Sequence, residues 1–400
     1  MKINKDQDYY ELQNNSQEKD SQTQKLEKSY FFMQGISALL PWSSVLCTLD
    51  FYSAKFPHSD VNFTFPVAFF ISSVGFNYLM VYIKRHLSLN IRVVGSLFLM
   101  LIFLILIPIT AEKYSGTNTG LWVCYLLLFL VGAVNTISNA TIAGLSGHFS
   151  AKCRSLHSAG TGYAALITNF IRSCILAFSS EENPSTDISA IILFYGAAAF
   201  LLIFGIVLHF IFIKSEESRA KFEDQTNNDH EQNLKQQWIV FKKNSFLVLA
   251  MFICNVQTFM LYPGVLFQKP LDFTNFSWTI VIICSIFNIF DTFGKYLPFI
   301  RSLLQTKVLL NTLIFRLFFF VAFIWPVVDK NVVLLSQSWF FLIMIALFGL
   351  SNGFVISSSF VMVPEKVEGE KKEVAGFVAF NAMITGIMIG TFLALPFASL

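Results

Sequence analysis

Four ionisable residues stand inside runs that are otherwise almost uncharged: Arg172, Asp291, Lys295 and Arg316. A charge at the centre of a membrane helix costs roughly 2.5–3.5 kcal/mol on insertion scales, so such residues usually line the path of a solute or ion. Asp291 and Lys295 stand four residues apart and Asn288 three before the aspartate. On a helix all three share one face, which should point into a bundle of helices. The plainer alternative is that Asp291 and Lys295 only neutralise each other near a helix end, with the lysine reaching the headgroups. Arg316 follows Lys307 by nine residues, ~13 Å along a helix, too deep for that escape, and it needs a carboxylate or carbonyl partner. Catalytic constellations are missing. No carboxylate dyad, nucleophile with its base, or phosphate-binding loop stands at a useful spacing. His148, His157 and His209 fall near expected helix ends without metal-ligand spacing and read as interfacial residues, so neither metal nor cofactor is expected.

The elements that must hold these residues follow from composition. Of 400 residues 54% are apolar and 13% charged, and mean hydropathy is +0.60; soluble domains carry about twice that charge. Runs such as 61–83, 188–213 and 244–268 contain no Asp, Glu, Lys or Arg, and about 20 residues of helix span a bilayer. Backbone groups in hydrocarbon need internal partners, and the period-2 alternation of barrel strands is absent, so these runs must be helices. Charges and turn residues delimit eleven spans near 30–54, 62–84, 91–111, 119–147, 155–179, 187–213, 244–268, 274–297, 307–328, 335–363 and 373–398. Residues 1–29 are polar, lack the apolar core of a cleavable signal and read as a disordered tail. Residues 214–243 form a charged loop dividing six helices (30–213) from five (244–400). The fold class is an all-α polytopic membrane protein of two bundles.

Basic residues test this count. The tail and the even-numbered loops hold 22 of the 28 Lys and Arg, while the odd-numbered loops hold only Lys55, Lys113, Lys269 and Lys330. Short cytoplasmic loops are enriched in Lys and Arg. The pattern therefore predicts a cytoplasmic N-terminus and an external C-terminus, and it accounts for the net charge of +3 without nucleic acid. Five of the six cysteines lie in apolar spans and Cys153 in a basic loop, which reads as free thiols. Asp50 closes the first helix and is expected to touch water.

Small residues and prolines locate packing faces and helix breaks. Gly386 and Gly390 stand at the GxxxG interval in the last span, and Gly144, Gly147, Gly160 and Gly162 mark the fourth and fifth. Pro41 and Pro263 fall in the first helix of each bundle, where interrupted helices often border a substrate site.

Leu39-Leu40-Pro41-Trp42 resembles the LLPWN signature of the equilibrative nucleoside transporters. Further blocks follow in that family's order: Tyr262-Pro263-Gly264-Val265, Asn288 through Lys295, which looks like NxFDxxGR, Arg316-Leu317, Ser351-Asn352-Gly353-Phe354, Pro364 with Val367, Ala375-Gly376, and Gly386 with Gly390. The resemblance covers about residues 30–398. It implies a major-facilitator-like fold, a central site for a nucleoside, alternating access by rocking, and no nucleotide hydrolysis. Carried over residue by residue, Leu39, Trp42 and Leu46 pack around the nucleobase, Asn139 stands where the family offers a glutamine, and Ile387 joins them from the last span. Asp291 and Lys295, with Asn288 a turn before, match positions associated with the ribose hydroxyls. Pro41, Pro263, Arg316, Asn352, Gly386 and Gly390 carry the structural and gating roles. Ser43, Lys295 and Ser150 depart from the family's asparagine, arginine and proline. Lysine is a point donor where arginine is a planar fork, which leaves ribose recognition looser and nucleobases open as substrates. The implied partners are a small nucleoside and the lipid bilayer, for a monomer at the plasma membrane; proton uptake by Asp291 is the alternative to a purely facilitative cycle, and a channel is a further rival.

Overall fold

The computed structural model describes residues 5–146, 149, 151–178, 187–215, 234–329, 337–368 and 371–399. Among these the secondary structure is helical. The first six spans are built from α1 (Lys5–Leu46) with α2 (Leu49–Lys55), α3 (Val61–His86), a π-turn (Ile91–Gly95) leading into α4 (Ser96–Lys113), α5 (Asn118–Ser146), α6 (Ala151–Phe178) and α7 (Ile188–Lys214). The last five are α8 (Leu234–Leu261) with α9 (Gly264–Gln268), α10 (Phe276–Tyr296), α11 (Thr306–Phe315) with α12 (Phe318–Val328), α13 (Ser338–Glu365) and α14 (Lys371–Ala394). Ten of these spans are long and apolar enough to cross a membrane, and the bent pair Gln22–Leu46 with Leu49–Lys55 makes the eleventh.

Helices of the first set pack mainly on one another, α1 on α6, α3 on α5 and α4 on α7, while α8 packs on α14 and α10 on α13. The two bundles meet where α10 lies on α6 and α2, and where α14 and α9 lie on α3. Glycines set the closest approaches. A Cβ on Gly386 or Gly390 would run into the α8 carbonyls of Phe252 or Val256, so the last-span GxxxG face is the seam between α14 and α8.

Several local expectations change. Helix α1 starts at Lys5, not at residue 30, because no Gly or Pro interrupts the chain before Gly35. Pro41 lies inside this continuous helix, and the break comes later, at Cys47 and Thr48, with a bend of 40°. Ser44 and Thr48 donate their hydroxyls back to the carbonyls of Leu40 and Ser44 at 2.8 and 2.9 Å, a local competition that bends helices. Span nine is also broken, at Arg316 and Leu317, between α11 and α12. Cys153 belongs to α6 and is buried, not in a loop, and all six cysteines are free. His209 is fully buried inside α7, bonded to Tyr30 Oη at 2.8 Å and Asn90 Oδ1 at 3.1 Å, not interfacial. Gly147, His148, Ser150, Lys330, residues 216–233 and Leu400 lie outside the described residues.

Candidate functional site

Asp291 sits in the last third of α10, buried but not sealed: its side chain is 10% exposed and that of Lys295 19%. Lys295 Nζ lies 2.8 Å from Asp291 Oδ2, and Asn352 Nδ2 donates to Asp291 Oδ1 at 2.7 Å. Two glycines allow that second contact. Gly353 packs so tightly that a Cβ there would collide with the Asp291 carbonyl, and one on Gly294 with the Leu350 carbonyl. Only backbones this close bring a side chain as short as asparagine from α13 to the carboxylate.

The polar chain continues through the second bundle. Asn352 Oδ1 accepts from Thr258 Oγ1 at 2.7 Å, and Thr258 Oγ1 accepts from Arg316 Nη2 at 2.6 Å. Arg316 spends its other donors on Ser351 Oγ (2.6 Å), the Phe348 carbonyl (3.0 Å) and Gln257 Oε1 (3.2 Å). The Phe348 ring lies 4.5 Å below its guanidinium, a cation–π contact. The expected carbonyl partner of Arg316 is thus Phe348. A buried guanidinium with all three nitrogens bonded is a fixed post that orients Thr258 and, through it, Asn352 and Asp291. Thr258 and Gln257 escaped notice in the sequence, although Asn255, Gln257 and Thr258 form a polar cluster in an otherwise apolar run.

The residues assigned to the base gather in an apolar layer. Trp42, Leu46 and Ile387 are buried in one hydrophobic cluster drawn from both bundles, and Leu39 packs against it. The Trp42 ring is 4.9 Å from that of Phe70 and 5.2 Å from that of Phe69, both on α3. Phe70 meets Phe259 of α8 edge-on at 5.2 Å, across the bundle interface. Asn139 and Asn288 are half-buried on α5 and α10 and join neither the apolar cluster nor the Asp291 network. Pro263 follows α8 in a cis peptide and lines a crevice with Phe63, Phe259, Gly264 and Thr391 that has no enclosed room for a solute.

The first bundle holds an ion pair that the sequence reading left apart. Asp50 is 1% exposed, not solvated, and its Oδ2 lies 2.7 Å from Nη2 of the fully buried Arg172. The bend before α2 turns the carboxylate inward onto α6.

Residues 211–398 match the family model described as nucleoside transporter. Equilibrative nucleotide transporter 1 of Arabidopsis thaliana is 21% identical over 383 residues, covering 91% of this chain and 84% of that protein. Equilibrative nucleotide transporter 4 of the same plant is 22% identical over 389 residues, with 89% and 90% covered. Among solved structures, nucleoside transporter NupG superposes with a TM-score of 0.61 at 15% identity, covering 92% of this chain and 89% of that one. The xylose transporter XylE from E. coli, partially occluded and inward-open, gives 0.57 at 11% identity, with 94% and 96% covered. These structural likenesses place the chain in the two-bundle, major-facilitator-like fold. The family match in its C-terminal half, relatives along nearly its whole length and structural neighbours that are transporters together support membership of the equilibrative nucleoside transporter family.

Proposed function

We propose that this protein carries nucleosides across a membrane by facilitated alternating access, with Asp291 and Lys295 binding the ribose hydroxyls and the Trp42, Leu46 and Ile387 layer receiving the base. The observation that carries this reading is the Asp291–Lys295 pair on a polar network running to Arg316. Such a network fixes an acceptor and a donor at one end, where each has lone pairs or protons left for hydroxyl groups. Donor availability favours an uncharged solute: Arg172 and Lys295 are each paired with an aspartate, and Arg316, which lacks a counter-ion, has every guanidinium nitrogen already bonded to neutral groups. A nucleoside fits this better than a nucleotide, whose phosphate needs a free cation.

Competition of labelled adenosine and uridine uptake by a panel of nucleosides and nucleobases tests the reading. Saturable uptake, acceleration by nucleoside on the far side and no response to a pH gradient are expected. Uptake that does not saturate would indicate a channel, and accumulation driven by a proton gradient would replace the facilitative cycle with a coupled one. The basic asymmetry supports an orientation with residues 214–243 on the cytoplasmic side and the C-terminus on the opposite side. A tag in that segment should be labelled only after permeabilisation and a C-terminal tag on intact cells; the reverse labelling refutes the orientation.

A further inference from the structure

We propose that Asp50, Asn169 and Arg172 form a second solute-contact subsite, lying outward of Asp291, that binds carbonyl and hydroxyl groups of the nucleoside as the bundles part. The inference rests on the nucleoside-transport reading above and extends it to residues outside the assigned site.

Asn169 and Arg172 stand one turn apart on α6, so they share a face, and Asp50 reaches that face from the first turn of α2. Exposure is 1% for Asp50, 3% for Asn169 and zero for Arg172. The ion pair between them is a single contact, Nη2 to Oδ2 at 2.7 Å. Asp50 Oδ1, Arg172 Nε, Arg172 Nη1 and Asn169 Nδ2 are buried without a hydrogen-bond partner. Polar atoms in that condition are rare in folded proteins and call for an explanation. Loose packing does not supply one, because the neighbouring hydroxyls are satisfied: Tyr195 Oη lies 2.9 Å from Thr48 Oγ1 and 2.8 Å from Tyr52 Oη. Nor does stability, since a buried pair that leaves its remaining donors and acceptors unmet contributes little to folding.

Placement points to the transport path. Helix α10 of the second bundle packs on both α2 and α6. Cys47 Sγ donates to Asn169 Oδ1 at 3.1 Å, and Cys284 of α10 meets Cys47 and lies within reach of the Asp50 charge. Cys284 precedes Asp291 by seven residues, about 10 Å along the helix away from the basic loops. The cluster therefore borders the interface that rocking must open, one layer before Asp291. Three unmet donor atoms beside one unmet acceptor suit a group that accepts more than it donates. With Arg172 already neutralised by Asp50, that group is uncharged, as base carbonyls and sugar hydroxyls are.

The test uses the full-length protein, with uridine, adenosine and deoxy or deoxo analogues as probes, and scores apparent affinity separately from maximal rate and surface abundance. Asn169→Ala and the milder Asn169→Ser should raise the KM of uptake about fivefold. The loss should disappear for the analogue lacking the contacted group, a selectivity change that a merely structural residue would not produce. Asn169→Cys should also react with a membrane-impermeant thiol reagent added from the C-terminal side faster than the wild-type cysteines do, and nucleoside should slow that reaction. If both Asn169 variants keep the wild-type KM and analogue ranking, or Asn169→Cys shows no reaction that nucleoside slows, the subsite is refuted while nucleoside transport stands. A wild-type protein that moves no nucleoside refutes both.

Discussion

Among the described residues each bundle holds one arginine with no exposed surface, Arg172 and Arg316, and the two are treated in opposite ways. Arg316, at the break between α11 and α12, has every guanidinium nitrogen bonded, a ring beneath it and no carboxylate at hand. Arg172, on α6, has a carboxylate at 2.7 Å and two nitrogens with no partner. Formal pairing is thus a poor guide to which charge is structural. The arginine lacking a counter-ion is anchored by dipoles and orients Asp291 at a distance, whereas the arginine with its counter-ion keeps donors in reserve. The C-terminal bundle reads as the rigid half of the binding machinery and the Asp50–Arg172 corner as the half prepared to change partners.

The largest effect should come from the fixed post. Arg316→Met leaves Gln257 Oε1, Thr258 Oγ1 and Ser351 Oγ without the donor they accept from, while the Phe348 carbonyl keeps Ser351 Oγ at 2.8 Å, and each buried group left unmet costs about 1–3 kcal/mol. Loss of both membrane abundance and uptake is expected, read by surface labelling beside transport. Arg316→Lys keeps the charge but not the fork, so it should recover abundance more than uptake. If Arg316→Met were as abundant and active as the wild type, the contrast between the arginines would collapse.

The charged pair comes next. Asp291→Asn and Lys295→Met should each remove most transport while leaving appreciable protein in the membrane. The exchanged protein, Asp291→Lys with Lys295→Asp, separates binding from neutralisation, because i,i+4 attraction survives inversion with modest orientation dependence. Exchange moves the carboxylate about 6 Å along the helix and sets an ammonium against the amide donor of Asn352, which now bonds Asp291 Oδ1 at 2.7 Å. Transport should stay lost. Near-normal nucleoside uptake by the exchanged protein would refute the ribose assignment without touching the fold.

What the sequence disclosed and what it withheld divide along the range of the interaction. Span number followed from charge-free runs, and the Asp291–Lys295 contact from spacing on a single helix, because both are local. The Asp50–Arg172 pair joins residues 122 apart, and Thr258–Asn352 joins residues 94 apart; no periodicity encodes such distances. In sequence Asp50 reads as solvated because it stands near the end of an apolar run, where charges usually reach water. Only the bend after Leu46, produced by side-chain hydroxyls that no proline announces, turns it inward. The arginine that most needed a partner in sequence, Arg316, found one in the carbonyl of Phe348, as its depth required.

The smallest predicted effect concerns Trp42 and sharpens the comparison on the apolar side. Its ring is already flanked by Phe69 and Phe70 at 5.2 and 4.9 Å, so it does not stand alone as a stacking platform. It belongs to an aromatic wall that continues through Phe70 to Phe259 of the other bundle at 5.2 Å. Stacking on a base is worth about 1 kcal/mol beyond area burial, close to a fivefold change in affinity. Trp42→Ala should raise the KM for uptake by about that factor, and Trp42→Phe, which keeps an aromatic face, by less. If the wall matters only for holding the bundles together, Phe259→Leu should mimic Trp42→Ala, lowering maximal rate and leaving KM alone in both. If Trp42 contacts the base, only the Trp42 variants should shift KM, and more strongly for purine than for pyrimidine nucleosides because the larger ring system offers more stacking area. Equal KM values for wild type and Trp42→Ala at matched surface abundance would remove Trp42 from the site and leave the apolar side of base binding to Leu46 and Ile387.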